Sequence, residues 1–131
     1  MTDSSDKEAI IAVNEAFYRA FSNRDIGSMR LIWWQGATSL CIHPGGKVLM
    51  GWESIQASWE SIFRNTNSLE IDIEVIKVEI DQAIAYVVVQ EIVLQSSRGR
   101  KVKAPSLATN IFQKMAQQWY LIHHHGSPIV R

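Results

Sequence analysis

The second half of the chain follows the two-residue period of a β-strand, and this pattern limits the possible folds more than any other feature. Apolar residues alternate with acidic ones from Leu69 to Val75, after which the apolar set changes parity to Ile76, Val78 and Ile80. A change of parity within one continuous strand is what a β-bulge produces, and bulges bend strands. The pattern therefore predicts a curved antiparallel sheet.

The first half of the chain has the period of helices. Residues 5–22 place apolar side chains on one face, Asp25 can cap a short second helix, and Gly51 opens a third. Two short strands, 38–42 and 47–50, flank a Pro-Gly-Gly turn. Further strands are predicted over residues 83–94, 102–114 and 119–126. This order predicts an α+β domain, in which three N-terminal helices pack on one face of the sheet and leave a pocket.

Composition narrows the class of protein. Within 131 residues, 13 Lys and Arg balance 13 Asp and Glu, which argues against a nucleic-acid binder and against a polybasic membrane-surface protein. The longest unbroken apolar run, Ala83 to Val89, is too short to span a bilayer. A polar N-terminus and a single cysteine, Cys41, favour a cytoplasmic location. We expect one domain over residues 1–131, with residues 1–4 as a flexible tail.

The last two strands can be paired through the turn between them. The register follows if the hairpin loop covers residues 115–118. Asn110 then lies opposite His123, and Ala108 lies opposite His125. Directly opposed residues point to the same side of a sheet, so this side is expected to form a half-polar cavity wall.

The other side of the same two strands is mostly apolar. It carries Leu107, Thr109 and Ile111, and in the assumed register it also carries His124. An apolar outer side is typical of a sheet that packs on a second subunit. We therefore expect a homodimer formed through the sheet, with His124 at the interface or in solvent.

Several motifs resemble those of known families. Residues 119–127 resemble the W-x-x-V-H-x-H-x-S ending of the association domain of calcium/calmodulin-dependent protein kinase and of SnoaL-like proteins. Residues 108–112 and 84–87 resemble the T-R-V-W and I-A-Y-I strands of that domain. The stretch from His43 to Ile55 resembles the D-P-x-G…G-x-x-x-I stretch of ketosteroid isomerases. All of these families belong to the nuclear transport factor 2-like superfamily.

The resemblance implies the cone-shaped fold of that superfamily, in which a curved antiparallel sheet wraps around helices. Because the superfamily includes isomerases, cyclases, dehydratases, transport adaptors and oligomerisation hubs, the resemblance implies the fold better than the function. Two positions depart from the families. His43 stands where the isomerases have the Asp that looks like their general base, and Asn110 stands where the association domain has a cavity Arg.

The candidate catalytic residues are His43, His123 and Tyr18. A neutral imidazole can abstract a proton, so His43 is the candidate base, while His123, Asn110 or Tyr18 would donate to a developing oxyanion. Each of the two histidines also has a purely structural interpretation. His43 would be a turn residue bonded to the backbone, and His123 would bond across the sheet.

The candidate ligand-binding residues are expected in or beside the cavity, and they are Trp33, Trp59, Glu91, Asn110, His123 and His125. The tryptophans are equally explained as core residues. Glu91 would be an acid in the cavity, or else Gln90 faces inward in its place. Two of the histidines and Glu91 could hold a metal, but only the H-x-H spacing supports such a site. We therefore expect no metal and no cofactor.

Two functions remain open from the sequence. The first is a small-molecule-binding protein with a partly polar cavity. This class includes a non-catalytic binding or oligomerisation module. The alternative is an isomerase, cyclase or dehydratase type of enzyme that uses His43 as general base on an oxygenated apolar substrate. In both cases the expected partners are a small-molecule ligand and a second copy of the chain, without nucleic acid or membrane.

Overall fold

The computed structural model describes residues 4–130, with side chains from residue 5 onward. Within this part of the chain, three helices lie in the first half: α1 (Ser4–Ser22), α2 (Ile26–Ile32) and α3 (Trp52–Arg64). The flexible tail predicted over residues 1–4 lies outside the described residues, except that Ser4 is the first residue of α1.

The ends of α2 and α3 follow from their capping residues. The Asp25 carboxylate accepts hydrogen bonds from the Ser28 backbone N–H at 3.1 Å and from the Ser28 hydroxyl at 2.7 Å, so that it caps α2 as predicted. Gly51 precedes α3 with a φ of 84°, a conformation that side-chain-bearing residues rarely adopt. Both helices then bury the apolar face that their spacing predicts, which includes Met29 and Trp59.

Six strands form one curved sheet within the described residues. They are β1 (Leu40–Ile42), β2 (Val48–Met50), β3 (Ser68–Asp81), β4 (Ile84–Ser97), β5 (Arg100–Met115) and β6 (Gln118–Pro128). The strand order is β2-β1-β6-β5-β4-β3. Every neighbouring pair is antiparallel except β1 and β6, which run parallel. Because β1 runs parallel to β6 and Ile42 pairs with His125, the residue after β1, His43, lies near the end of β6.

The change of parity in β3 is a β-bulge, as predicted. Val75 pairs with Val89 and Lys77 pairs with Val88, so that Ile76 is the extra residue. Ile76 is 54% exposed, because the bulge leaves its side chain outside the alternation that packs on the helices.

A second bulge, in β6, makes the predicted register of the last hairpin wrong beyond Leu121. Phe112 pairs with Leu121, but Ile111 pairs with His123 rather than with the residue before it. Ile122 is therefore an extra residue. Since side chains alternate between faces, one inserted residue reverses the face of every later side chain.

The reversal changes the face of the sheet on which each of the three histidines of β6 lies. Asn110 lies opposite His124, not His123, and Ala108 lies opposite Gly126, not His125. His124 points to the helices and is 1% exposed. The predictions that His123 and His125 share the inner face, and that His124 lies at an interface or in solvent, are therefore both wrong.

The core lies between the helices and the inner face of the sheet. Its largest fully buried apolar side chains include Phe17 of α1, Trp33 after α2, Trp59 of α3 and Phe112 of β5. The rings of Phe17 and Trp59 meet edge to face with centroids 5.8 Å apart. None of the helices in residues 4–130 is long and apolar enough to cross a membrane.

Candidate functional site

A pocket of about 250 Å³ lies where the end of β1 and helices α1 and α3 meet the inner face of the sheet. Its polar lining is contributed by His43, Glu91, Gln95, Ser106 and His124. The rest of the lining is apolar and includes Phe21, Ile62, Val93 and three prolines. A pocket of this kind, mostly apolar with a few convergent polar groups, is the usual form of a small-molecule site.

His43 lies at the pocket wall, immediately after β1. The Pro-Gly-Gly turn that follows begins with a hydrogen bond from the Gly46 backbone N–H to the His43 carbonyl at 2.7 Å. The imidazole Nε2 is 3.0 Å from the Ser58 hydroxyl on α3, and the ring meets the Trp59 ring edge to face at 4.8 Å. Burial lowers the pKa of His43 below its ordinary value, so the ring is neutral at physiological pH.

Glu91 faces the pocket from the middle of β4, which decides between Glu91 and Gln90 as the inward residue. It is 2% exposed, and its two carboxylate oxygens accept hydrogen bonds from the Tyr18 hydroxyl at 2.5 Å and from the Ser106 hydroxyl at 2.6 Å. Burial and the nearby Glu91 carboxylate raise the pKa of Tyr18 well above its ordinary value. The Tyr18 hydroxyl therefore stays protonated, as a donor to Glu91.

Asn110 connects this carboxylate to His124. The Asn110 amide nitrogen donates to the Asn14 side-chain oxygen at 2.9 Å and to the Tyr18 hydroxyl at 3.2 Å. Its amide oxygen lies 2.5 Å from Nδ1 of His124. Burial, reinforced by the neighbouring histidines, lowers the pKa of His124 to about 3. A second neutral imidazole therefore lines the pocket, and its ring centroid is 6.5 Å from that of His43.

The other predicted site residues lie elsewhere. His123 and His125 are on the outer face of the sheet, where their rings are 6.3 Å apart. Trp33 and Trp59 are buried in the core behind the pocket, at 1% and 0% exposure. Tyr18 is held beneath Glu91 and contacts the pocket through it. Among residues 5–130, no three His, Cys, Asp or Glu side chains are grouped as metal ligands would be.

Sequence reasoning missed His124 as a pocket residue, together with Asn14, Ser58 and Ser106, which hold the polar groups in place. The sequence holds no local signal for His124. In the structure Gly126, two residues further along β6, is also buried, and a Cβ atom there would lie 3.0 Å from the Pro44 ring, which would have to shift by a few tenths of an ångström to make room.

Comparison with known proteins agrees with this fold. A curated relative, the F-box protein SKIP8 of Arabidopsis thaliana, is 27% identical over 119 residues, which are 91% of this chain and 49% of that protein. The chain thus spans about half the length of this relative.

Solved structures are similar over nearly the whole chain. A candidate dehydratase of the nuclear transport factor 2-like family from Streptomyces avermitilis is 28% identical, with a TM-score of 0.92 over 99% of this chain and 100% of that one. A candidate calcium/calmodulin-dependent protein kinase type II association domain from Thiobacillus denitrificans is 26% identical, with a TM-score of 0.81 over 91% and 94%.

A third solved structure shows the fold alone. It is a ketosteroid isomerase-like protein from Erwinia carotovora, 17% identical, with a TM-score of 0.87 over 98% of this chain and 100% of that one. The family model of the SnoaL-like domain matches residues 10–131. With three helices on a six-stranded curved sheet and a match over nearly its full length, the chain belongs to the SnoaL-like domain family, within the nuclear transport factor 2-like fold.

Proposed function

We propose that this chain binds a small, largely apolar molecule in the pocket and removes a proton from it, with His43 as the base. The observation that carries the proposal is a neutral imidazole at the wall of a mostly apolar pocket that a buried carboxylate also lines. Burial keeps such an imidazole unprotonated at neutral pH, and an unprotonated imidazole is able to accept a proton.

The hydrogen bonds of His43 indicate which nitrogen is basic. The Ser58 hydroxyl has one proton, and it donates that proton to the Ile55 carbonyl at 2.8 Å, as helix serines often do. Its oxygen therefore accepts from Nε2–H of His43. This leaves Nδ1 with the free lone pair, and we assign Nδ1 as the atom that takes the proton.

The reaction class that fits is proton abstraction next to an oxygen function, followed by its return at another position or by loss of water. The similarity to a candidate dehydratase, at 28% identity, supports this class. Binding without reaction is the competing function, and the similarity to a candidate association domain supports it. A cytoplasmic location remains a prediction from the single cysteine.

Proton abstraction can be tested without knowing the natural substrate. The probe is 5-nitrobenzisoxazole, a small apolar ring that opens to a coloured phenolate when a base removes its C–H proton. We expect His43→Ala to lower kcat/KM by about 100-fold or more, because the base is lost. The matched control is His125→Ala on the outer face, which should leave the rate unchanged.

The same assay distinguishes the two functions. Both variants are first compared with the wild type by thermal unfolding, so that loss of folding is not taken for loss of catalysis. A wild-type rate no higher than that of free imidazole would mean that the pocket binds without abstracting a proton. An unchanged rate in His43→Ala would remove His43 as the base.

We also propose that the outer face of the sheet forms a homodimer. Ile84, Tyr86 and Leu107 point away from the helices and are 41%, 37% and 47% exposed. Acidic residues of β3, Glu70 and Glu74, lie to one side of them in the same sheet. An apolar centre beside a charged margin is the usual composition of a protein interface.

A further inference from the structure

We infer that this pocket selects a neutral ligand that donates a hydrogen bond, such as a phenol or an alcohol, and rejects carboxylates and other anions. The inference rests on the ligand pocket proposed above, and it names the class of molecule that the pocket takes. It follows from the direction of the hydrogen bonds around the pocket and from the charges of its lining.

The direction of the buried network follows from its hydroxyl and amide protons. Tyr18 has one hydroxyl proton and donates it to Glu91, so at Tyr18 the Asn110 amide must be the donor. The second amide proton of Asn110 goes to the Asn14 oxygen. Both protons of the Asn110 amide are then used, and its oxygen faces His124 as an acceptor.

His124 is held in one tautomer as a consequence. Because the Asn110 oxygen can only accept, Nδ1 of His124 carries the proton and donates it at 2.5 Å. Nε2 is therefore left with a lone pair on a ring that lines the pocket. His43 reaches the same result through the opposite tautomer, since Nε2 donates to Ser58 and Nδ1 keeps the lone pair.

Both imidazoles thus offer acceptors to a bound molecule. The remaining polar groups do not reverse this preference. The Ser106 hydroxyl proton is used by Glu91, and the Gln95 amide can either donate or accept. A ligand with a hydroxyl group satisfies a ring nitrogen of His43 or His124, whereas a ligand without a donor leaves both nitrogens unpaired.

The charges of the lining act against anions. The described residues around this pocket include no lysine and no arginine, and their one carboxyl side chain is that of Glu91. A bound carboxylate would lose its hydration without gaining a cationic partner, and it would face two imidazole lone pairs and the Glu91 carboxylate. Asn110, which the resemblance places at the position of a cationic residue, is a neutral amide that is 0% exposed.

Calorimetric titration of the wild-type chain with three matched probes tests the inference. The probes are 4-propylphenol, 4-propylanisole and 4-propylbenzoate, which share an apolar body and differ in a donor, a methylated oxygen and an anion. We expect the phenol to bind about tenfold more tightly than the anisole, the effect of one hydrogen bond. The benzoate should show no saturable binding over the same concentrations. Binding of the benzoate or of the anisole as tight as that of the phenol would overturn the inference.

Nitrogen-15 NMR of the histidine side chains gives a second readout that needs no variant. We expect the Nδ1–H tautomer for His124 and the Nε2–H tautomer for His43 at neutral pH. The reverse tautomer at His124 would overturn the inference, because its pocket nitrogen would then be a donor.

Substitution of the acceptor completes the test. His124→Phe keeps an aromatic ring but removes the nitrogen, and it should reduce the preference for the phenol over the anisole to what the remaining lone pair of His43 supplies. His125→Phe on the outer face is the matched control and should keep the wild-type preference; a preference retained in His124→Phe would overturn the role of His124. Failure of this inference can be distinguished from failure of the proposed proton transfer, because these experiments measure binding and the proton transfer is measured as a rate.

Discussion

His124 and its two neighbours show how strongly the position of one side chain in the sheet determines its chemistry. His125 is exposed to water, whereas His124 is 1% exposed and donates to Asn110 at 2.5 Å. Burial of the imidazole removes its hydration and disfavours its charged form, which is why the pKa of His124 falls to about 3. The residue type is the same at both positions, and the two differ only in their environment.

This difference predicts how stability depends on pH. An unfolded histidine titrates near 6.5, so between about pH 6.5 and about pH 3 the unfolded chain binds a proton that folded His124 does not. The free energy of unfolding should therefore fall by about 1.4 kcal/mol for each pH unit below 6.5, and level off above it. His43, whose pKa is also lowered by burial, adds to the fall in the same direction.

Urea unfolding at about pH 7 and about pH 5 measures this dependence. In His124→Asn the fall should be smaller than in the wild type by the contribution of one histidine. A wild-type dependence in His124→Asn would contradict a buried neutral His124.

At the scale of elements, the hairpin turns differ in how well their residues suit the backbone. The turn between β5 and β6 consists of Ala116 and Gln117, with φ of 51° and 69°. The turn between β4 and β5 consists of Arg98 and Gly99, with φ of 53° and 79°. Two-residue turns of this type favour glycine at the second position, because left-handed φ crowds a side chain.

Introducing glycine in one turn and removing it from the other should therefore change the free energy of unfolding in opposite directions. Gln117→Gly should raise the free energy of unfolding by about 0.5–1 kcal/mol, because it relieves the left-handed conformation. Gly99→Ala should lower it by about 1 kcal/mol, and since nothing lies within 4 Å of the added carbon, the cost is conformational. Urea unfolding of both variants measures the changes, and a destabilised Gln117→Gly would contradict the assignment of strain to this turn.

At the scale of the whole molecule, the outer face of the sheet is the surface that a second copy would cover. A stable interface of ordinary size buries about 800 Å² on each partner, more than a few isolated side chains supply. The long strands β3 to β6 offer a continuous face of that kind, with Tyr86 and Leu107 near its middle.

The proposed homodimer predicts a dimer mass in light scattering at micromolar concentration. Leu107→Glu should shift the mass to that of a monomer, because it places a charge in the apolar centre of the interface. Leu31→Glu is the matched control, since Leu31 is 78% exposed on α2 and lies away from the sheet. A monomeric wild type would refute the dimer, and a dimeric Leu107→Glu would place it elsewhere.

The two bulges explain what could be predicted about the fold and the site. The bulge at Ile76 was predictable because apolar and acidic residues alternate on both sides of it, so the change of parity is visible in the sequence. The bulge at Ile122 is followed by three identical histidines, which show the same residue type on both faces whichever register is correct. The polarity of these three residues therefore does not distinguish one register from the other.

The sequence by itself determined the order of helices and strands, the curved sheet, the family, and His43 as a residue beside the pocket. Each depends on local periodicity, turn chemistry or a contiguous motif. The tertiary structure alone decided which histidine of β6 enters the pocket, and that Glu91 rather than Gln90 faces it. These outcomes depend on an inserted residue in β6 and on hydrogen bonds between residues far apart in the chain. Tyr18 of α1 binds Glu91 of β4, 73 residues away, and Asn110 of β5 binds Asn14 of α1, 96 residues away. Such contacts form only when helix and sheet pack together, because no local pattern in the chain encodes them.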